Sequence, residues 1–162
     1  MDHTDEREHI RSLIGDHSIA MMTTHDVDGM LVSRPMALQL LADDDVMWFF
    51  TDDGEPKTQQ LEADPRVGLT FHGGAWVSIQ GKGSVVKDPA KQRELWNPMV
   101  AAWMPCEPDD PKVALIKVAA TGGQYWRGAM STLPTLIKMV GAKVTGFQPE
   151  DEPGTGKADL GS

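Results

Sequence analysis

A small antiparallel β-barrel with a few peripheral helices is the fold that the sequence predicts. Three observations predict it. Short apolar stretches with strand-type alternation recur along the chain, separated by Gly, Asp and Pro turn signals. These stretches follow one another directly instead of alternating with long helices, which argues against a doubly wound parallel sheet. The 162 residues, 40% of them hydrophobic, suffice for one core without disulfides or metals.

The elements follow in order. Thr4 suits an N-cap, Asp5 and Glu6 suit a first turn, and Ile10, Leu13 and Ile14 share one face before Gly15, so the chain opens with a helix. Strands are expected over 19–25 and 30–41, joined by Asp26-Val27-Asp28-Gly29, where glycine permits positive φ. Asp43, Asp44 and Asp45 make the next turn, before an apolar strand over 46–51. The loop 52–55 leads into a short helix opened by Pro56 and closed before Pro65. Strands over 66–72 and 75–86 are joined across Gly73-Gly74. Helical spacing returns after Asp88-Pro89 and is split in two by Pro98. A sixth strand is expected over 113–119, a short seventh at Tyr125-Trp126, and a last helix over 133–140. Residues 1–147 make a single domain. Residues 148–162, rich in Gly and poor in apolar side chains, are expected as a flexible C-terminal tail.

Composition excludes several function classes. With 15 basic and 24 acidic side chains the formal net charge is −9. A generic nucleic-acid or anionic-membrane binder needs a basic face that this balance disfavours, so any phosphate site must be local. Cys106 is alone, which leaves no intrachain disulfide and no cysteine-based zinc site. The histidines and carboxylates show no tight metal-ligand spacing, so no metal is expected. The apolar runs 46–50 and 99–104 fall far short of the ~20 residues of a membrane span. The acidic, polar N-terminus is unlike a secretory signal, and a cytoplasmic protein is expected.

The chemistry concentrates between Ser33 and Thr58. Opposing residues 41 and 46 across the Asp turn places Met36 across from Thr51 and Arg34 across from Asp53. That register brings Arg34 beside the loop 52–55. The next helix starts at Pro56, so its first free N–H groups surround Lys57 and Thr58. A guanidinium, an ammonium, a hydroxyl and a helix N-terminus thus converge as a phosphate cradle, with Arg34 able to engage two phosphate oxygens. By the two-residue strand period Arg34, Met36 and Leu38 share a face, as do Met47, Phe49 and Thr51. A flat, mostly apolar ring attached to a phosphate would fit that surface.

At these residues a family resemblance enters. Ser33-Arg34-Pro35-Met36, Phe49-Phe50-Thr51, Lys57 and Ala63-Asp64-Pro65-Arg66-Val67 resemble the general stress protein family of split-barrel proteins. These bind flavin mononucleotide (FMN) and are related to pyridoxamine 5′-phosphate oxidase. Val77-Ser78-Ile79-Gln80-Gly81, Leu95-Trp96, Trp103, Asp109-Asp110-Pro111 and Tyr125-Trp126 continue the resemblance, which spans about 8–157. It implies a six-stranded antiparallel Greek-key split barrel that forms a homodimer with FMN at the subunit interface. It implies that Arg34 and Lys57 hold the phosphate, with Thr58 beside them. Met36, Phe50 and Thr51 would line the ring and ribityl chain, Pro35 is counted with them among the cofactor-binding residues, and Trp126 would stand near the flavin.

Two departures from the family stand out. Glu55 occupies a position where the family often has a small or hydroxylic residue, and a carboxylate there opposes a phosphate. No arginine follows Arg127, so the arginine-rich segment with which the oxidase proper recognises its substrate is not matched, and that activity is not carried over. The expected function is therefore an FMN-dependent oxidoreductase with an unspecified small-molecule electron donor or acceptor, no catalytic acid or base being identifiable. The alternatives are a flavin-binding sensor or store without turnover, or the same barrel holding a deazaflavin or haem.

Overall fold

The computed structural model describes residues 3–15, 18–127 and 155–159. Helix α1 (His3–Ile14) is followed by β1 (Ile19–His25), β2 (Leu31–Leu41), β3 (Val46–Asp52), α2 (Pro56–Ala63), β4 (Arg66–His72) and β5 (Trp76–Val86). Helices α3 (Pro89–Leu95) and α4 (Pro98–Trp103), then β6 (Val113–Trp126) and β7 (Thr155–Asp159), complete the order. The strands run β3-β2-β1-β4-β5-β6, all neighbours antiparallel, and β3 pairs again with β6 to close a six-stranded barrel. Closure along Val113–Ala119 of β6 removes the free edges that an open sheet would expose there, while residues 122–126 of β6 run on past the β3 pairing.

Alternation along the strands fills the barrel. Ala20, Met22, Leu38, Met47, Phe49, Leu69, Val77, Ile79, Ile116 and Val118 are buried on its inner side. Each barrel end has a helical cover. Ile10 and Ile14 of α1 enter the core at the end marked by the β2–β3 turn, where Arg7 and Arg11 pair with the buried Asp45. At the other end Leu61 of α2 seats against Gly83, where an added Cβ would stand 2.8 Å from a Leu61 methyl carbon. Arginine bonds to a buried carboxylate and a side-chain-for-glycine fit thus fix the two covers.

Several expectations meet a different outcome. The pairing near the β2–β3 turn is Leu41↔Met47 and Leu40↔Trp48, one residue off the expected register. A bulge at Gln39 then restores it at Leu38↔Phe49. The short seventh strand at Tyr125-Trp126 does not exist separately. Gly122 and Gly123 pair with Gln80 and Ile79, so β6 runs unbroken to Trp126 because the long β5 ladder outweighs local glycine preference. Inside the expected tail, Thr155–Asp159 forms β7 and pairs with 122–126 of β6. The helix expected over 133–140 lies outside the described residues.

Candidate functional site

The end of the barrel covered by α2 brings together three strands and one helix. β1 delivers Thr24, β2 delivers Arg34, the β3–α2 loop delivers Glu55, and α2 delivers Lys57 and Gln60. Arg34 faces the inside of the rim, in phase with Met36 and Leu38. Its Nη1 donates to Thr24 Oγ1 at 2.6 Å and its Nη2 to Gln60 Oε1 at 2.9 Å. Thr24 Oγ1 also donates to Gln60 Oε1 at 2.7 Å, which makes a closed triangle of buried and half-buried groups. Among the described residues two of the five guanidinium N–H groups are thereby used. Burial lowers the Arg34 pKa, and the Glu55 charge acts in the opposite direction. Arg34 and Glu55 are thus electrostatic neighbours.

Lys57 is 7% exposed, uncommon for a lysine, and its ammonium donates to the Glu55 carboxylate. The pair Arg34 and Lys57 is brought to one rim as expected. The rest of the cradle is not. Thr58 is buried, and its hydroxyl bonds the carbonyls of Asp53 (2.9 Å) and Glu55 (2.8 Å). Its N–H bonds the Glu55 carbonyl, and the Glu55 N–H bonds Asp52. The Thr58 hydroxyl and N–H, which were expected to face an anion, are taken up by the loop instead, because buried donors rarely stay unpaired.

The ring surface also needs correction. The face shared by Met36, Leu38, Met47, Phe49 and Thr51 is the barrel interior, and every one of these side chains is buried. A closed barrel fills this face with its own core and leaves no room for a flat ring. Thr51 Oγ1 donates to the Asp52 carbonyl at 3.2 Å. Pro35 and Phe50 point outward: Pro35 is exposed, and half-buried Phe50 packs edge-on against Trp96 at 5.2 Å. Trp126 lies at the opposite end of the barrel from Lys57, across from Trp76, and both tryptophans are exposed. A shallow depression of about 410 Å³ between Thr23, His25, Arg66, Gln80 and Lys82 lies on the outer side of the sheet, apart from the inward-facing Arg34.

Thr24 and Gln60 escaped the sequence reading, although they orient Arg34. Gln60 stands three residues after Lys57 on α2, one helical turn along the same face, and this spacing was the available signal.

The structure is thus a closed antiparallel split barrel with an anchored arginine and a buried lysine at one rim. The sequence pattern described as pyridoxamine 5′-phosphate oxidase like matches residues 5–150, and the chain belongs to that family. Protein bli-3 of Neurospora crassa is 30% identical over a 129-residue alignment that covers 72% of this chain and 62% of the relative. The chain therefore spans about three fifths of the length of that curated relative. Among solved structures, the general stress FMN/FAD binding protein of Xanthomonas citri superposes with a TM-score of 0.68 at 30% identity, covering 80% of this chain and 94% of that one. General Stress Protein 26 of Bacillus anthracis str. Sterne gives a TM-score of 0.66 at 23% identity, covering 74% and 92% respectively. Among the described residues no helix is long and apolar enough to cross a membrane.

Proposed function

We propose that this chain binds FMN and serves flavin-dependent electron transfer, with Arg34 and Lys57 holding the phosphate. The observation that carries the reading is the meeting of these two cations at one rim. Arg34 is anchored by Thr24 and Gln60, and Lys57 is almost wholly buried. Anchored cations bind an anion without paying again for side-chain ordering. The donor set suits the ligand: the guanidinium N–H groups that no described residue takes can meet two phosphate oxygens, and the lysine adds a point charge. The flavin, when bound, supplies the redox chemistry. The chain's part is to fix the phosphate and to present the ring to a donor or acceptor. The name of the Xanthomonas citri protein, 30% identical over most of its length, supports a flavin as the ligand class.

The working form in this reading is a homodimer with the flavin between subunits. The interior face beside Arg34 is filled with core side chains, so the ring needs a wall from outside the barrel. The outer face of β1, β2, β5 and β6 leaves Ile19, Met21, Leu31, Trp76 and Trp126 exposed, an apolar surface that a two-fold axis would bury on both copies. Trp126, remote from Lys57 within one chain, then serves the flavin of the other subunit. The absorption spectrum of protein reconstituted with FMN, recorded before and after adding a reduced nicotinamide, tests cofactor and turnover. A perturbed flavin band that bleaches supports an oxidoreductase. A perturbed band that does not bleach supports a binding protein without that donor, and an unperturbed band overturns the reading. Sedimentation equilibrium tests assembly: a monomer mass with FMN bound would refute the interfacial site.

A further inference from the structure

Glu55 stands at the N-cap of α2 and does not cap it. Its backbone is extended, its side chain accepts no bond from the helix N–H groups, and its carboxylate reaches over to Lys57 instead. The two partners differ in freedom. The Lys57 side chain is 9% exposed and held in the rim, whereas that of Glu55 is 52% exposed and can turn to solvent. Glu55 is also close enough to Arg34 for its charge to bear on the guanidinium. A carboxylate therefore already sits on one of the two cations that the proposed function assigns to the phosphate, with its charge felt by the other.

We propose that Glu55 is an internal anion that occupies the phosphate site and must swing away before FMN binds. The proposal rests on the phosphate-cradle reading of Arg34 and Lys57. The charge tally explains why displacement is needed. Arg34 and Lys57 bring two positive charges and Glu55 cancels one, while a phosphate monoester near neutral pH carries about −1.5 to −2. If Glu55 stayed, the dianion would meet one net positive charge and a like-charged neighbour in a partly desolvated rim. With Glu55 in solvent, the phosphate oxygens take the place of its carboxylate on the Lys57 ammonium, and both cations serve the ligand. The exchange is one anion for another at a fixed lysine, so the core is not disturbed. Glu55 thus tunes affinity for the phosphate end of the cofactor and is indifferent to the ring. A flavin without the phosphate gains nothing from displacing it.

Calorimetric titration of the full chain and of Glu55→Gln with FMN and with riboflavin tests this. The expected result is that Glu55→Gln raises FMN affinity by about tenfold or more and changes riboflavin affinity by less than about threefold. Glu55→Ser, the small hydroxylic choice, serves as the second variant should the amide keep its hold on Lys57 or impair folding, and the same outcome is expected of it. An FMN preference in the parent chain that neither substitution strengthens, or that they weaken, overturns the role of Glu55 and leaves the cradle standing. Equal affinity for FMN and riboflavin in the parent and both variants overturns the cradle and Glu55 together.

Discussion

Replacing Arg34 by lysine separates what this residue does for the fold from what it does for the ligand. In the structure Arg34 donates to Thr24 at 2.6 Å and to Gln60 at 2.9 Å, and those two partners also bond to each other at 2.7 Å. When Arg34→Lys withdraws the guanidinium, neither Thr24 nor Gln60 is left without a partner, because they bond each other. The desolvation penalty for an orphaned buried group is therefore avoided, and the expected loss of stability stays near 1 kcal/mol. In a chain of this length that is a fall of about 2–4 °C in melting temperature. The ligand loses more. A lysine keeps the charge and forfeits the planar fork, so one charge-assisted contact to phosphate disappears, about 1.5–3 kcal/mol or roughly 10- to 150-fold in FMN affinity. Riboflavin binding should be unaffected, because it has nothing for the guanidinium to grip. Thermal melts and calorimetric titrations on the same preparations supply both numbers. FMN affinity unchanged in a folded Arg34→Lys variant, or an equal loss for riboflavin, would refute the assignment of Arg34 to the phosphate.

Two further predictions concern the frame that positions the rim. At Gly81, where β5 and β6 shift register, a Cβ would stand 2.6 Å from the Ala119 carbonyl oxygen and 3.0 Å from a Val118 methyl. Gly81→Ala must therefore push backbone against backbone, at a cost of about 1–3 kcal/mol. A melting temperature equal to the parent's would show that the β5–β6 bulge is not rigid. Asp45 is buried, adopts φ 60° and accepts from Arg7 and Arg11 across from α1. Asp45→Ala removes that acceptor and puts alanine in a left-handed conformation, for an expected loss of about 2–4 kcal/mol in urea unfolding. Asp45→Asn, which tolerates the conformation and keeps an acceptor oxygen, should lose clearly less, and equal losses would mean that the arginine pairs contribute little.

The extent to which the sequence was readable follows from how local each signal is. Pro56, Pro89 and Pro98 announced their helices because proline at the first helical position is a single-residue cue. The Asp26–Gly29 turn was equally local, closed by Asp26 bonding the N–H groups of Asp28 and Met30. The length of β6 was not local. Gly122 and Gly123 read as a break, and only the partner strand β5 makes them strand. β7 went unseen for the same reason, since Thr155–Asp159 has no apolar alternation of its own and pairs with the edge that β6 offers. At the rim, Arg34 and Lys57 were legible from register and from the position of Pro56. The self-satisfied Thr58 was not, because spacing gives no account of where a hydroxyl's bond goes. The inward turn of Met36 and Thr51 depended on closure by β3–β6, a pairing between strands far apart in the chain.

The most direct test of the phosphate site is a paired calorimetric titration of the unmodified protein with FMN and with riboflavin, which share a ring and ribityl chain and differ in the phosphate. Contacts from Arg34 and Lys57, offset by the displacement of Glu55, predict a preference for FMN of about 100-fold or more. Equal affinity for the two flavins would contradict the site, whatever the ring itself touches.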